Sequence, residues 1–172
     1  MSLDKIKKLR ETTFLGINDC KQALVQAEGD FNKALEVLRK KGIQVSDKKK
    51  SRETSQGLID SYVHFGGNLG TLVEVNCETD FVARTEVFKK FVKDISMQIA
   101  AATPKYINRE DIPPAELEGV EDVDKYVKDN CLIFQPFIKD SKLTIKDYLQ
   151  DVIAKTGENI VIRRFVRFAI GG

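Results

Sequence analysis

Thr71-Leu72-Val73-Glu74-Val75-Asn76-Cys77-Glu78-Thr79-Asp80-Phe81-Val82-Ala83-Arg84 is the stretch from which the rest of the chain is read. It begins as a strand, with Thr71, Val73 and Val75 alternating at period two with Leu72, Glu74 and Asn76. Strand character then fails. Glu78, Thr79 and Asp80 are poor strand-interior residues, and a Thr or Asp here folds its side chain onto nearby backbone N–H groups to start a turn or helix. Beyond the turn, spacings of three and four put Val87, Phe88, Phe91, Val92, Ile95 and Ile99 on one stripe of an amphipathic helix that Pro104 stops near Ala102. Phe81 therefore stands at a strand-to-helix corner. A bulky apolar residue there either plugs the end of its own core or projects as an anchor for another molecule, and the pattern alone favours the plug.

Working outward, Gly57 to Phe65 also alternates, with Ile59, Val63 and Phe65 on one face and Asp60, Tyr62 and His64 on the other. Gly66 to Gly70 reads as the turn of a hairpin. Keeping the apolar faces together sets Val63 opposite Val73 and Ile59 opposite Cys77. That register tests a thiol enzyme. His64, the only histidine, lies on the opposite face from Cys77 and five residues along the ladder, about 17 Å away. A Cys–His nucleophile needs hydrogen-bond reach, about 3 Å, so no catalytic dyad is expected and Cys77 reads as a small buried hydrophobe.

Toward the N-terminus the period changes to that of helices. Ser2 can cap a helix carrying Leu3, Ile6 and Leu9, which ends near Thr12-Thr13. Asn18 or Asp19 can cap a second with Cys20, Ala23, Leu24 and Ala27 inward, stopped at Gly29. Asp30 caps a third with Phe31, Ala34, Leu35 and Leu38 inward, its basic last turn running into Gly42. From Ile43 to Gln56 the periodicity fails and Asp47-Lys48-Lys49-Lys50-Ser51-Arg52 reads as a solvated linker. Toward the C-terminus, 105–122 reads as an irregular connection and 123–128 as a short helix. Pro136 marks an edge or strand end. Thr144 and Asp147 form a capping box for a helix with Ile145, Tyr148, Leu149, Val152 and Ile153, ending at Gly157. Asn159 to Ile170 reads as the last strand, with Ile160, Ile162, Val166 and Phe168 alternating with Val161, Arg163, Phe165 and Arg167.

The expected fold class is thus α+β. A three-helix bundle over 1–42 is followed by a charged linker over 43–56, then an α+β core over 57–172 with a small antiparallel sheet and packed helices. A net charge of +2 is too small to imply nucleic-acid or membrane binding by itself. Three widely spaced cysteines build neither a metal site nor a secreted disulfide framework, and reduced thiols in the cytoplasm fit best. With no membrane-length apolar run and the charged start Asp4-Lys5-Ile6-Lys7-Lys8, the chain is expected to stay inside the cell. There is no phosphate-binding glycine motif, so neither a bound nucleotide nor another cofactor or metal is expected.

The wording of several segments carries more. Val75 to Arg84 closely resembles the signature of the elongation factor Ts family, as do Lys8 to Thr13 with Asp19 to Leu24, Gln135-Pro136-Phe137, and Lys155 to Ile160 followed by Arg164-Phe165. The N-terminal bundle also resembles the ubiquitin-associated (UBA) domain. The resemblance implies a non-enzymatic guanine nucleotide exchange factor for the translational GTPase elongation factor Tu, acting in translation elongation. Its Asp80-Phe81 tip would enter the partner's GTPase domain with Thr79 and Val82 bracing it, and Ile17 and Asn18 would touch a helix of the same domain. The chain has room for one core unit, and short members of this kind work as homodimers. In one place the pattern departs: Thr13-Phe14-Leu15-Gly16 stands where the family has Thr-Gly-Ala-Gly. Residues 105–130 are also shorter than the family's usual insertion. A UBA-like binding adaptor without exchange activity is the alternative, which accounts for 1–42 but gives the core no purpose.

Overall fold

The computed structural model describes residues 3–13 and 15–171, with the backbone alone of 42–48. The Ser2 cap and Phe14 lie outside the described residues. The chain opens with helices α1 (Leu3–Thr13), α2 (Ile17–Gln26) and α3 (Phe31–Lys49). Ile6, Leu9, Cys20, Ala23, Leu24, Ala34 and Leu38 form their shared core. Leu3, expected in that stripe, is exposed. As expected, Asp30 caps α3, its carboxylate accepting from the backbone N–H groups of Asn32 and Lys33. Helix α2 begins two residues early, with Gly16 as its N-cap and no side-chain cap, so Ile17 and Asn18 are its first residues rather than its lead-in.

Helix α3 does not stop at Gly42. It continues to Lys49, through the first half of the expected linker. One glycine inside a helix costs about 1 kcal/mol, less than the flanking turns and tertiary contacts return. Those contacts are at hand, since α3 packs against α8 (Ile145–Thr156) and the Lys49 ammonium reaches the carbonyl of Gly157 at its end.

The main sheet is antiparallel, in the order β1 (Gln56–Val63), β2 (Leu69–Cys77), β5 (Ile160–Ala169). Val73, Val75, Cys77, Ile160 and Ile162 on its inner face pack with Phe88, Phe91, Val92, Ile95 and Ile99 of α5 (Glu86–Ala102) and Ile145, Val152 and Ile153 of α8. Helix α5 ends where Thr103 turns left-handed, just before Pro104. Helix α8 has the expected Thr144–Asp147 capping box and Gly157 stop.

Two strand readings are corrected. In the hairpin, Cys77 pairs with Gln56 and Val73 with Asp60, three residues from the expected register. The turn is tighter than expected: the His64 N–H donates to Leu69 O, and Gly66 and Gly67 hold positive φ. Because the slip is odd it reverses the faces. Leu58, Asp60 and Tyr62 turn toward the core, while Ile59, Val63 and Phe65 are exposed. In β5 the register shifts beside Glu74–Val75, placing an extra residue between Ile162 and Arg164. Ile160 and Ile162 point inward as expected, but Val166 and Phe168 emerge on the outside.

Between the sheet strands lies a smaller unit. Helices α6 (Pro114–Leu117) and α7 (Val123–Asn130) close over Ile112, Val127 and Cys131, so 105–130 is folded although short. Pro136–Phe137 (β3) pairs with Asp140–Thr144 (β4) in a separate two-stranded ribbon. Pro136 was expected at an edge or strand end, and β4 was not anticipated.

Candidate functional site

At the end of β2 the chain makes its corner with no glycine. The Cys77 thiol donates to Thr79 O at 3.1 Å, and Thr79, in extended conformation, is the N-cap of the single turn α4 (Asp80–Ala83). Thr85 caps α5 immediately afterwards and donates its hydroxyl to Val82 O at 2.8 Å. One helical turn clamped between two threonine caps has little freedom to rotate. Val82 and Ala83 face inward and join the core. Phe81 consequently faces out, and 79% of its surface is exposed. The plug reading of Phe81 is thereby excluded, and what remains is an aromatic ring held in water by a buried mount.

The other expected site residues divide. Thr79 accepts from the Val82 N–H within the turn, and Val82 is buried. The Asp80 carboxylate instead pairs with Arg84 at 2.9 Å across the outside of the turn. A pair so exposed adds little to stability. Ile17 and Asn18 are exposed at the start of α2, on a helix face shared with Lys21 and Val25.

Sequence reasoning missed the group that holds the corner from behind. After α8, Glu158 enters the back of the turn. Its Oε2 accepts from the N–H groups of Glu78 and Thr79 at 3.1 and 3.0 Å, and its Oε1 accepts from the Thr79 hydroxyl at 2.6 Å. Glu78 returns the arrangement by accepting from the Asn159 N–H at 2.6 Å. The buried Asn159 amide donates to Arg52 O at 2.9 Å, which brings the segment after α3 to the same place. Residues 78 and 158 are eighty apart in sequence, so only the pairing of β2 with β5 joins them. The available signal was a Gly-Glu-Asn run directly after a helix stop, too common to point at a partner.

The geometry keeps Cys77 and His64 apart. Cys77 is fully buried, and burial, with the Glu158 charge second, pushes its thiol up to about 11. His64 lies eight residues along β1 from the partner of Cys77, about 26 Å, and its Nδ1 sits 2.9 Å from the Tyr62 hydroxyl. Among the described residues no group of three His, Cys, Asp or Glu is placed to hold a metal ion, and no helix is long and apolar enough to cross a membrane.

Comparison with known proteins decides the lineage. A family model described as Elongation factor TS matches residues 17–123 and 117–171. The chain is similar to elongation factor Ts of Thermoanaerobacter sp. (strain X514), at 50% identity covering 99% of this chain and 95% of the relative. The chain belongs to the elongation factor Ts family. It is also similar to the elongation factors Ts of Caldanaerobacter subterraneus subsp. tengcongensis, at 47% identity over 99% of this chain and 97% of that one, and of Fervidobacterium nodosum, at 45% over 99% and 98%. Membership in the elongation factor Ts family gives the protein its role as a translation elongation factor. The first of these alignments runs over 194 positions against 172 residues here. Relatives therefore carry residues that this chain lacks, and the family match divides at 117–123, inside the short segment noted above.

Proposed function

We propose that this protein is a guanine nucleotide exchange factor for elongation factor Tu and that the Asp80-Phe81 tip is the part that opens the partner. The observation that carries this reading is the exposed ring of Phe81 on a turn whose next two residues are buried. An exposed aromatic residue is costly to keep in water unless it docks, and a rigid mount reduces the entropy lost when it does. The mechanism is linkage. A protein that binds best to the nucleotide-free GTPase must weaken GDP binding by the same factor by which GDP weakens its own. Insertion of a ring supplies such a contact, because the GTPase domain must shift to admit it. The exchange factor makes and breaks no covalent bond, binds no cofactor of its own and works in the cytoplasm without contacting nucleic acid. Ile17 and Asn18, exposed at the start of α2, would add a second contact through the N-terminal bundle, raising affinity by effective concentration.

A second copy is the proposed occupant of the outer sheet face. There Val63, Gly70 and Phe168 form one row across the three strands, and Leu72 and Val166 pair in the next. Ile59, Val63, Leu72, Val166 and Phe168 are all exposed. An apolar face that wide on an isolated sheet is the kind a two-fold partner covers.

The tip is tested by comparing stability with activity in one variant. Phe81→Ala should leave the melting temperature almost unchanged and strongly reduce stimulated GDP release from elongation factor Tu. A core phenylalanine such as Phe88 would lose about 3–5 kcal/mol on the same change. Unchanged exchange by folded Phe81→Ala would remove the tip from the mechanism.

A further inference from the structure

We infer that Glu158 is a positioning residue for exchange, acting on the partner only through the orientation it gives Phe81. This rests on the reading of Phe81 as the inserting group. Three donors converge on its carboxylate, and all three belong to the two residues before the tip. The Thr79 hydroxyl has one proton. By taking that proton at 2.6 Å, Glu158 leaves the hydroxyl's lone pairs as the acceptor that meets the Val82 N–H and caps α4. A turn of four residues has no helical stability of its own, so its shape depends on this cap and on Thr85 at the other end. Behind it, Glu78 accepts from the Asn159 N–H, so the two carboxylates fasten the corner and the residues after α8 to each other in both directions. Glu158 is attached to α8 and β5, elements anchored in the core by Ile153, Ile160 and Ile162. It thus carries the rigidity of the core to a tip that projects away from it. None of its contacts reaches outward, which distinguishes it from Phe81.

The chain contains no tryptophan, so Phe81→Trp places a single reporter at the tip. Adding Glu158→Gln to that variant should lower the steady-state fluorescence anisotropy of the indole, as the tip loses a charged acceptor and gains motion. In the parent background Glu158→Gln should lower stimulated GDP release about tenfold, the effect of one charge-assisted hydrogen bond, while circular dichroism stays that of the folded chain. In the Phe81→Ala background the same change should lower release no further, because the group it positions is gone. Additive losses in the double variant, or unchanged anisotropy and release in the single ones, would overturn the inference and leave the tip reading intact. Full activity of Phe81→Ala would instead remove the tip reading and this inference with it.

Discussion

Phe81 and Phe88 are seven residues apart and chemically identical, yet one is mostly exposed and the other fully buried. Their difference lies in the turn between them, and comparable local control appears at Asp94. This carboxylate is 2% exposed and meets the ammonium groups of Lys139 and Lys90 at 2.6 and 2.9 Å and the Tyr148 hydroxyl at 2.9 Å. Burial alone pushes its pKa up. The three donors together outweigh that and hold it below the ordinary aspartate range. A carboxylate depressed in the folded state contributes stability that is complete above its unfolded value, about 3.9, and is lost as acid titrates the folded group below that. Asp94→Asn should therefore destabilise the protein by about 1–3 kcal/mol at neutral pH. Its melting temperature should then fall less than the parent's between pH 5 and pH 3, as thermal unfolding at the two pH values would show. Equal acid sensitivity in both proteins would show that other carboxylates govern the acid limb.

At the level of elements, β1 shows how backbone approach can outrank side-chain pattern. Gly57 pairs with Asn76 at a φ of +156°, and a Cβ built on it would lie 2.2 Å from Val75 O. That is a contact with backbone, which cannot rotate away. Gly57→Ala should cost at least about 2–3 kcal/mol through strain and displacement of the strand, with a correspondingly earlier urea midpoint. Thermal or urea unfolding identical to the parent would mean that β1 can slide without penalty. Helix α3 teaches the opposite lesson, since a helix breaker at Gly42 is overridden by docking on α8. The division into a bundle over 1–42, a linker over 43–56 and a core over 57–172 is a proposal, and α3 crosses its first boundary.

For the whole molecule, the second copy proposed for the outer sheet face is testable by mass. Light scattering at micromolar concentration should report twice the chain mass of 19.4 kDa. Phe168→Glu, which puts a charge at the β5 end of the exposed row, should return it to the single mass without loss of secondary structure. A parent protein that is monomeric alone and strictly one-to-one with elongation factor Tu would exclude the second copy.

What the sequence determined by itself is local. The 3.6 period and the caps Asp30 and Thr144 define α3's start and α8, and the resemblance around Val75–Arg84 locates the tip, because each depends on residues a few positions apart. The strand faces were not decidable in this way. The alternation in β1 and β5 puts the more apolar residues Ile59, Val63, Val166 and Phe168 inward, and a tight turn and a one-residue bulge, neither visible in the alternation, turned them outward. Whether Phe81 is buried as a plug or exposed was likewise decided only when Val82 and Ala83 took the inward positions of α4. Glu158 lies furthest from legibility. Its partners stand eighty residues away, and a carboxylate beside a helix stop acquires a role only when strand pairing carries it to the donors it serves.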